Sequence, residues 1–263
     1  MTANTLVSHQ LIEKRVIVSQ PLNVLRNSVE HLRSVIESAT NLDPDAPAYP
    51  AEWSIADTLS HIGSGAVILK QLLEDAISGS EADAGFNQSV WDAWNAKTPI
   101  DQVKDGLTAD RALLEAFEAV PEEQRKSFRL KFGPFDLDFN GFVALRLGEQ
   151  ALHTWDIEVA LDPSATLSSD VAEVVLEGLG RLVGFSGKAN GKTQDIRVRT
   201  TEPVRDLTIV FASDSLSLVT ATHSEVIDLE LPAEAFIRLV YGRLDSDEGN
   251  DTLDDLISAF PGF

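Results

Sequence analysis

The apolar residues of this chain change their period beyond Ala160, and that change constrains the fold more than any other feature. Up to that point they recur mostly at spacings of three and four, the repeat of a helix with one buried face. From Pro21 to about Ala39 they fall at Leu22, Leu25, Val29, Leu32 and Ile36, and Ser19 ahead of Pro21 reads as the start signal. The loop NLDPDAPAYPAE holds three prolines and cannot continue a helix. A second helix opens at Ser54, where Asp57 completes an S-x-x-D capping pattern. It carries Ile55, Leu59, Ile62, Ala66, Leu69 and Leu73 to a stop at Gly79. A third opens at Thr98–Pro99, with proline at the first helical position, and runs to about Ala119. A fourth spans about Asn140 to Ala160, with Val143, Leu145, Leu147, Leu152 and Ile157 among its apolar members. Ahead of it, FRLKFGPFDLDF alternates, which predicts two short strands turning at Gly133–Pro134.

The segment LDPSATLSSD is polar and proline-containing, as a domain boundary requires. A helix is predicted over 170–185. Three runs rich in Val, Ile and Thr follow, at Asp195–Arg199, Leu207–Phe211 and Leu216–Ala221. Two more helices are predicted at Ala233–Tyr241 and Thr252–Ala259. The expected organisation is therefore multidomain: an all-α domain over 1–162 joined to an α+β domain over 163–263.

Charge narrows the partners. The chain has 42 Asp and Glu against 21 Lys and Arg, a formal charge of −21. Nucleic-acid binding needs clustered cations to neutralise phosphate, and docking on anionic lipid needs them as well. Neither partner is expected, and small molecules remain. The chain has no cysteine, which excludes disulfides, thiolate metal ligands and a cysteine nucleophile. The first twenty residues show no basic stretch followed by an apolar one, and no apolar run approaches the roughly 18–20 residues of a membrane span. A soluble, cytoplasmic protein is the expectation.

Five histidines are available: His9, His31, His61, His153 and His223. Glu149 precedes His153 by four residues, so both project from one face of the fourth helix. If the second helix neighbours the fourth, His61 can join them across the bundle. Two His and one Glu make a catalytic zinc set with a position left open, although other divalent ions suit the same donors. Asp57, four before His61, and Asp156, three after His153, are each placed to orient an imidazole. A Glu and His at this spacing occur in many helices by chance, often as a surface hydrogen bond, and on spacing alone that alternative stands ahead of a metal site. His31 is expected on the solvated side of the first helix, and His223 exposed at the end of a β-type run. Trp91 and Trp94, in what reads as a polar loop, pack over a bundle end or wall a pocket. SGKANGKT lacks the first glycine of a P-loop and precedes a β-type run.

Two runs carry a family resemblance. PAEWSIADTLSHI resembles the W-S-x-x-D-x-x-x-H opening of a helix in DinB-like metal proteins. LRLGEQALHTWDIEVAL resembles the R-x-x-E-x-x-x-H-x-W-D segment of the mycothiol-dependent maleylpyruvate isomerase family. The resemblance implies a DinB-like four-helix bundle followed by a small sterol-carrier-like α+β domain. It implies that His61, Glu149 and His153 bind zinc, and that the cofactor is mycothiol, a small-molecule thiol held as thiolate. The implied activity is addition of that thiol to an electrophilic small molecule. In an isomerase, addition to a cis double bond beside a carbonyl is followed by rotation and elimination; in an S-transferase the thiol stays attached. The family also has an arginine near its C-terminus that reaches the active site. It falls here on Arg243 in FIRLVYGRLD, with Arg238 as second choice, and a guanidinium there would clamp a carboxylate. Arg146 is read as structural. The alternatives to an enzyme are a small-molecule or lipid binding protein, and a fold that keeps the metal without turnover.

Overall fold

The computed structural model describes residues 3–50, 52–189, 191–221, 225–245 and 250–262, with side chains from residue 21 onward. The chain divides into two compact units, Met1–Ala165 and Thr166–Phe263.

The first unit is built on four long helices: α1 (Ala3–Ser38), α2 (Ile55–Ser78), α4 (Pro99–Ala119) and α6 (Phe139–Leu161). They close into a ring in which α2 packs on α4, α4 on α1, α1 on α6 and α6 on α2. The local signals act as expected at most ends. Ser54 and Asp57 form a reciprocal capping box, and Gly79 ends α2 in the left-handed conformation at φ 74°. Thr98 caps α4 ahead of Pro99. The predicted stripe of α2 is buried from Ile55 to Leu73. Short strands β1 (Leu130–Phe132) and β2 (Phe135–Leu137) pair antiparallel about Gly133, as their alternation predicts.

Three readings of this unit need correction. α1 continues N-terminal to Pro21, so Ser19 is not its start. A proline removes one backbone bond of the ladder, and the helix carries that loss. Trp91 and Trp94 do not lie in a loop but in α3 (Phe86–Asn95). There Phe86, Val90 and Trp94 recur every four residues and pack with Ile68 of α2, a stripe masked by the polar residues between them. A short helix, α5 (Glu122–Ser127), was not foreseen.

The close approach of α2 and α4 depends on two glycines. A Cβ at Gly63 would overlap the Trp94 ring and lie 2.8 Å from the Gly106 Cα. One at Gly106 would lie 2.6 Å from the Leu59 carbonyl oxygen.

The second unit begins with α7 (Ser169–Ser186). Strands β3 (Gln194–Thr201), β4 (Arg205–Phe211) and β5 (Leu216–Thr220) follow, then β6 (Leu229–Pro232), α8 (Ala233–Val240) and α9 (Asp251–Ala259). The sheet order is β5-β4-β3-β6. β6 pairs parallel with β3 and escaped sequence reading, because it is four residues long and runs directly into α8. Ile196, Val198, Leu207, Ile209 and Phe211 bury one face of the sheet. The other carries the ion pair Arg199–Asp206. His223 lies outside the described residues. The fold is thus a helical N-terminal domain followed by an α+β domain. Among the described residues no helix is long and apolar enough to cross a membrane.

Candidate metal centre

α6 is apolar or small on almost all faces, so it is buried nearly all round, and its polar residues must find partners. Glu149 and His153, one turn apart, point toward α2, where His61 stands seven residues beyond the Ser54 cap. One ligand atom from each of these three lies within 4.8 Å of the others. The Glu149 Oε2 is 3.9 Å from the His61 Nε2 and 3.9 Å from the His153 Nε2. Among the described residues no further His, Asp or Glu joins the group.

The imidazoles are held from behind. His153 Nδ1 is 2.8 Å from Asp156 Oδ2, and Asp156 is buried. A carboxylate on Nδ1 selects the Nδ1–H tautomer and leaves the Nε2 lone pair facing the cluster. Trp53 stacks on His153 with ring centroids 5.9 Å apart and planes 11° from parallel, and lies 5.3 Å from the His61 ring. The loop bearing Trp53 is tied to α6, because the Tyr49 N–H donates to the Asp156 carbonyl at 2.9 Å. Asp57 does not take the orienting role foreseen as one option, since its carboxylate is committed to the Ser54 cap.

Burial acts most strongly on the Glu149 carboxyl and pushes it up. The adjacent His61 imidazole and the charges of His153, His61 and Arg146 outweigh it, so Glu149 titrates below the ordinary carboxylate value. Burial dominates at His153 and holds it below 6.5 despite the Asp156 hydrogen bond. A low carboxylate and a low imidazole are both in their metal-ligating forms at neutral pH. The donor set fits a divalent cation. Two donors about 2.0–2.1 Å from a tetrahedral zinc stand about 3.3 Å apart, so the 3.9 Å separations about Glu149 would close by roughly half an ångström and a separation at the 4.8 Å bound of the group by about 1.5 Å.

Side-chain exposure is 45% at His61, 42% at Glu149 and 11% at His153. Solvent therefore reaches the cluster from the His61 and Glu149 side. An open groove of about 480 Å³ lies beside His61, lined among others by Glu52, Trp53, Asp57, Ser64, Trp91 and Asn95. Trp94 packs on the bundle while Trp91 lines this groove, so the two tryptophans divide between the roles foreseen for them.

Arg243 belongs to the second unit. It follows the turn after α8, where Gly242 has φ 70°. Its Nη1 donates to the Tyr241 carbonyl at 2.8 Å, and its own carbonyl accepts from Arg238 Nη1 at 3.2 Å. Arg238 also makes a two-pronged pair with Glu234 at 2.8 and 3.0 Å. His31 is exposed, 2.9 Å from Glu158. Sequence reading gave Trp53 no role, although it lies in the run that carries the resemblance. It also missed a buried polar layer beneath the cluster. The sign of that layer is Arg146, Gln150 and Thr154 recurring every four residues through an apolar helix.

The family model "Mycothiol maleylpyruvate isomerase N-terminal domain" matches residues 25–158, just over half of the chain. Two solved structures share the fold. A crystal structure of the mycothiol-dependent maleylpyruvate isomerase is 16% identical, with 89% of this chain and 90% of that chain covered at a TM-score of 0.60. A histidine-to-alanine mutant of that enzyme is 15% identical, with 86% and 89% covered at a TM-score of 0.60. No curated protein matches the sequence. The span of the family match, which takes in His61, Glu149 and His153, shows that the chain belongs to the mycothiol maleylpyruvate isomerase N-terminal domain family.

Proposed function

We propose that this protein is a zinc-dependent enzyme that uses mycothiol and adds it to an electrophilic small molecule. The reaction is a maleylpyruvate-type cis–trans isomerisation or an S-transfer. One observation carries the reading: one ligand atom from each of His61, Glu149 and His153 converges within 4.8 Å beside an open groove. His61, Glu149 and His153 would hold the metal. The cation would supply the field that deprotonates a thiol, and a thiolate is the competent nucleophile. Asp156 fixes the His153 tautomer, and Trp53 covers the imidazole faces. The reactive sulfur comes with the ligand, which a chain without cysteine requires of any thiol chemistry.

The proposal assigns the metal to the helical domain over 1–162. It assigns to the α+β domain over 163–263 the cation for an anionic group, Arg243. The His153→Ala variant is expected to lose both metal and turnover of thiol with electrophile. Turnover at the wild-type rate in that variant would overturn the mechanism. Arg243→Ala is expected to retain metal and to raise KM for a carboxylate-bearing electrophile. An unchanged KM would remove Arg243 from the site.

A further inference from the structure

Beneath the cluster, one helical turn toward the N-terminus of α6, lies a polar layer closed off from solvent. Arg146 is 3% exposed and Asp110 is 1% exposed. A single nitrogen, Arg146 Nη2, donates to Asp110 Oδ1 at 2.7 Å and to the Ile62 carbonyl at 3.1 Å. Gln150 Nε2 extends the layer, 3.5 Å from Asp110 Oδ2, 3.2 Å from Thr154 Oγ1 and 3.1 Å from the Ser28 carbonyl. The Ser28 hydroxyl donates to Gln150 Oε1. All four helices of the ring meet here.

The placement of these bonds is specific. Ile62 is the residue after His61, and Arg146 is one turn before Glu149. The Nη2 bond therefore ties α2 to α6 at the level where their side chains must converge. Packing alone serves that seam less well, because α2 packs chiefly on α4 and α6 chiefly on α1. The guanidinium reaches both acceptors at the expense of another donor. Arg146 Nε is buried and has no hydrogen-bond partner. A buried donor left unmet is uncommon and calls for a reason. Stability does not supply it, since apolar residues of similar volume often replace a buried ion pair without loss.

We infer that Arg146 is a positioning residue: with Asp110 it sets the spacing of His61 against Glu149 and His153, and so sets metal affinity. This rests on the reading of those three residues as metal ligands. Residues that orient ligands typically govern metal affinity by about 10–100-fold.

The test is the affinity for Zn2+ and the visible d–d spectrum of the Co2+-loaded full-length protein, in wild type and in the Arg146→Met, Asp110→Leu double variant. The double variant is expected to fold with a near wild-type melting temperature, to bind Zn2+ about 10–100-fold more weakly, and to show altered Co2+ bands. A folded double variant with wild-type affinity and bands overturns the inference and leaves the metal reading intact. A wild-type protein that binds neither ion overturns both. Should the double variant not fold, Arg146→Lys decides. Its nitrogen ends one bond short of the Nη2 position and is expected to give up one of the two acceptors, so weaker Zn2+ binding at an unchanged melting temperature supports the role. Unchanged affinity overturns it.

Discussion

His153 shows how one residue can be read by both a proton and a metal. Burial holds its imidazole below 6.5 in the folded chain, so the unfolded chain takes up the proton first as pH falls. The stability this group gives the metal-free protein is therefore complete above about pH 6.5 and is lost as pH falls through the lower folded value. Melting of the metal-free protein between about pH 7.5 and pH 5.5 should show that loss, and His153→Gln should flatten the slope over the same window. An identical slope in the variant would remove His153 as its source. The layer beneath behaves differently when broken than when replaced. Arg146→Met alone leaves the Asp110 carboxylate buried without its cation, and denaturant unfolding should show a loss of about 3–5 kcal/mol. A loss under about 1 kcal/mol would mean that Asp110 finds another partner or solvent.

At the scale of elements, helix ends and faces were legible because their signals are local. Ser54 with Asp57, Gly79 and Thr98–Pro99 each act within one turn, and each marks an end of a helix in the structure. That Glu149 and His153 share one face was legible for the same reason, a fixed spacing on one helix, whereas a metal role for them came only with the family resemblance. What stayed hidden depends on neighbours that only the fold supplies. Nothing local in α2 says that Gly63 must admit the Trp94 ring, or that the Ile62 carbonyl takes a bond from Arg146. Trp94 itself was misplaced because its apolar stripe is three residues long and set among polar ones. β6 was hidden because a four-residue parallel strand is stabilised by its partner β3, not by its own pattern. The α2–α4 crossing gives a direct check. Gly63→Ala would push its methyl into Trp94 and toward the Gly106 Cα, and should destabilise by about 1–3 kcal/mol in urea unfolding. Wild-type stability would show that α2 and α4 can separate freely.

For the whole molecule the charge of −21 and the candidate cation site are linked. A surface this acidic repels itself, and salt screens that repulsion, so the first thermal transition of the metal-free protein should rise by a few degrees between about 0.01 M and 0.15 M NaCl. A fall would mean that surface ion pairs such as Lys192–Asp255 outweigh the repulsion. Acidic side chains are abundant across the chain, but among the described residues one group of His, Asp and Glu has donor atoms close enough together to hold a metal ion. Glu149 differs because two imidazole nitrogens share its oxygen, one of them oriented by a buried carboxylate. The most direct test is the metal content of the purified protein, measured by mass spectrometry beside the His61→Ala variant. About one zinc per chain is expected in the wild type and none in the variant. A wild-type protein without stoichiometric metal, even after reconstitution with Zn2+, would reduce the three residues to a polar cluster with no metal role.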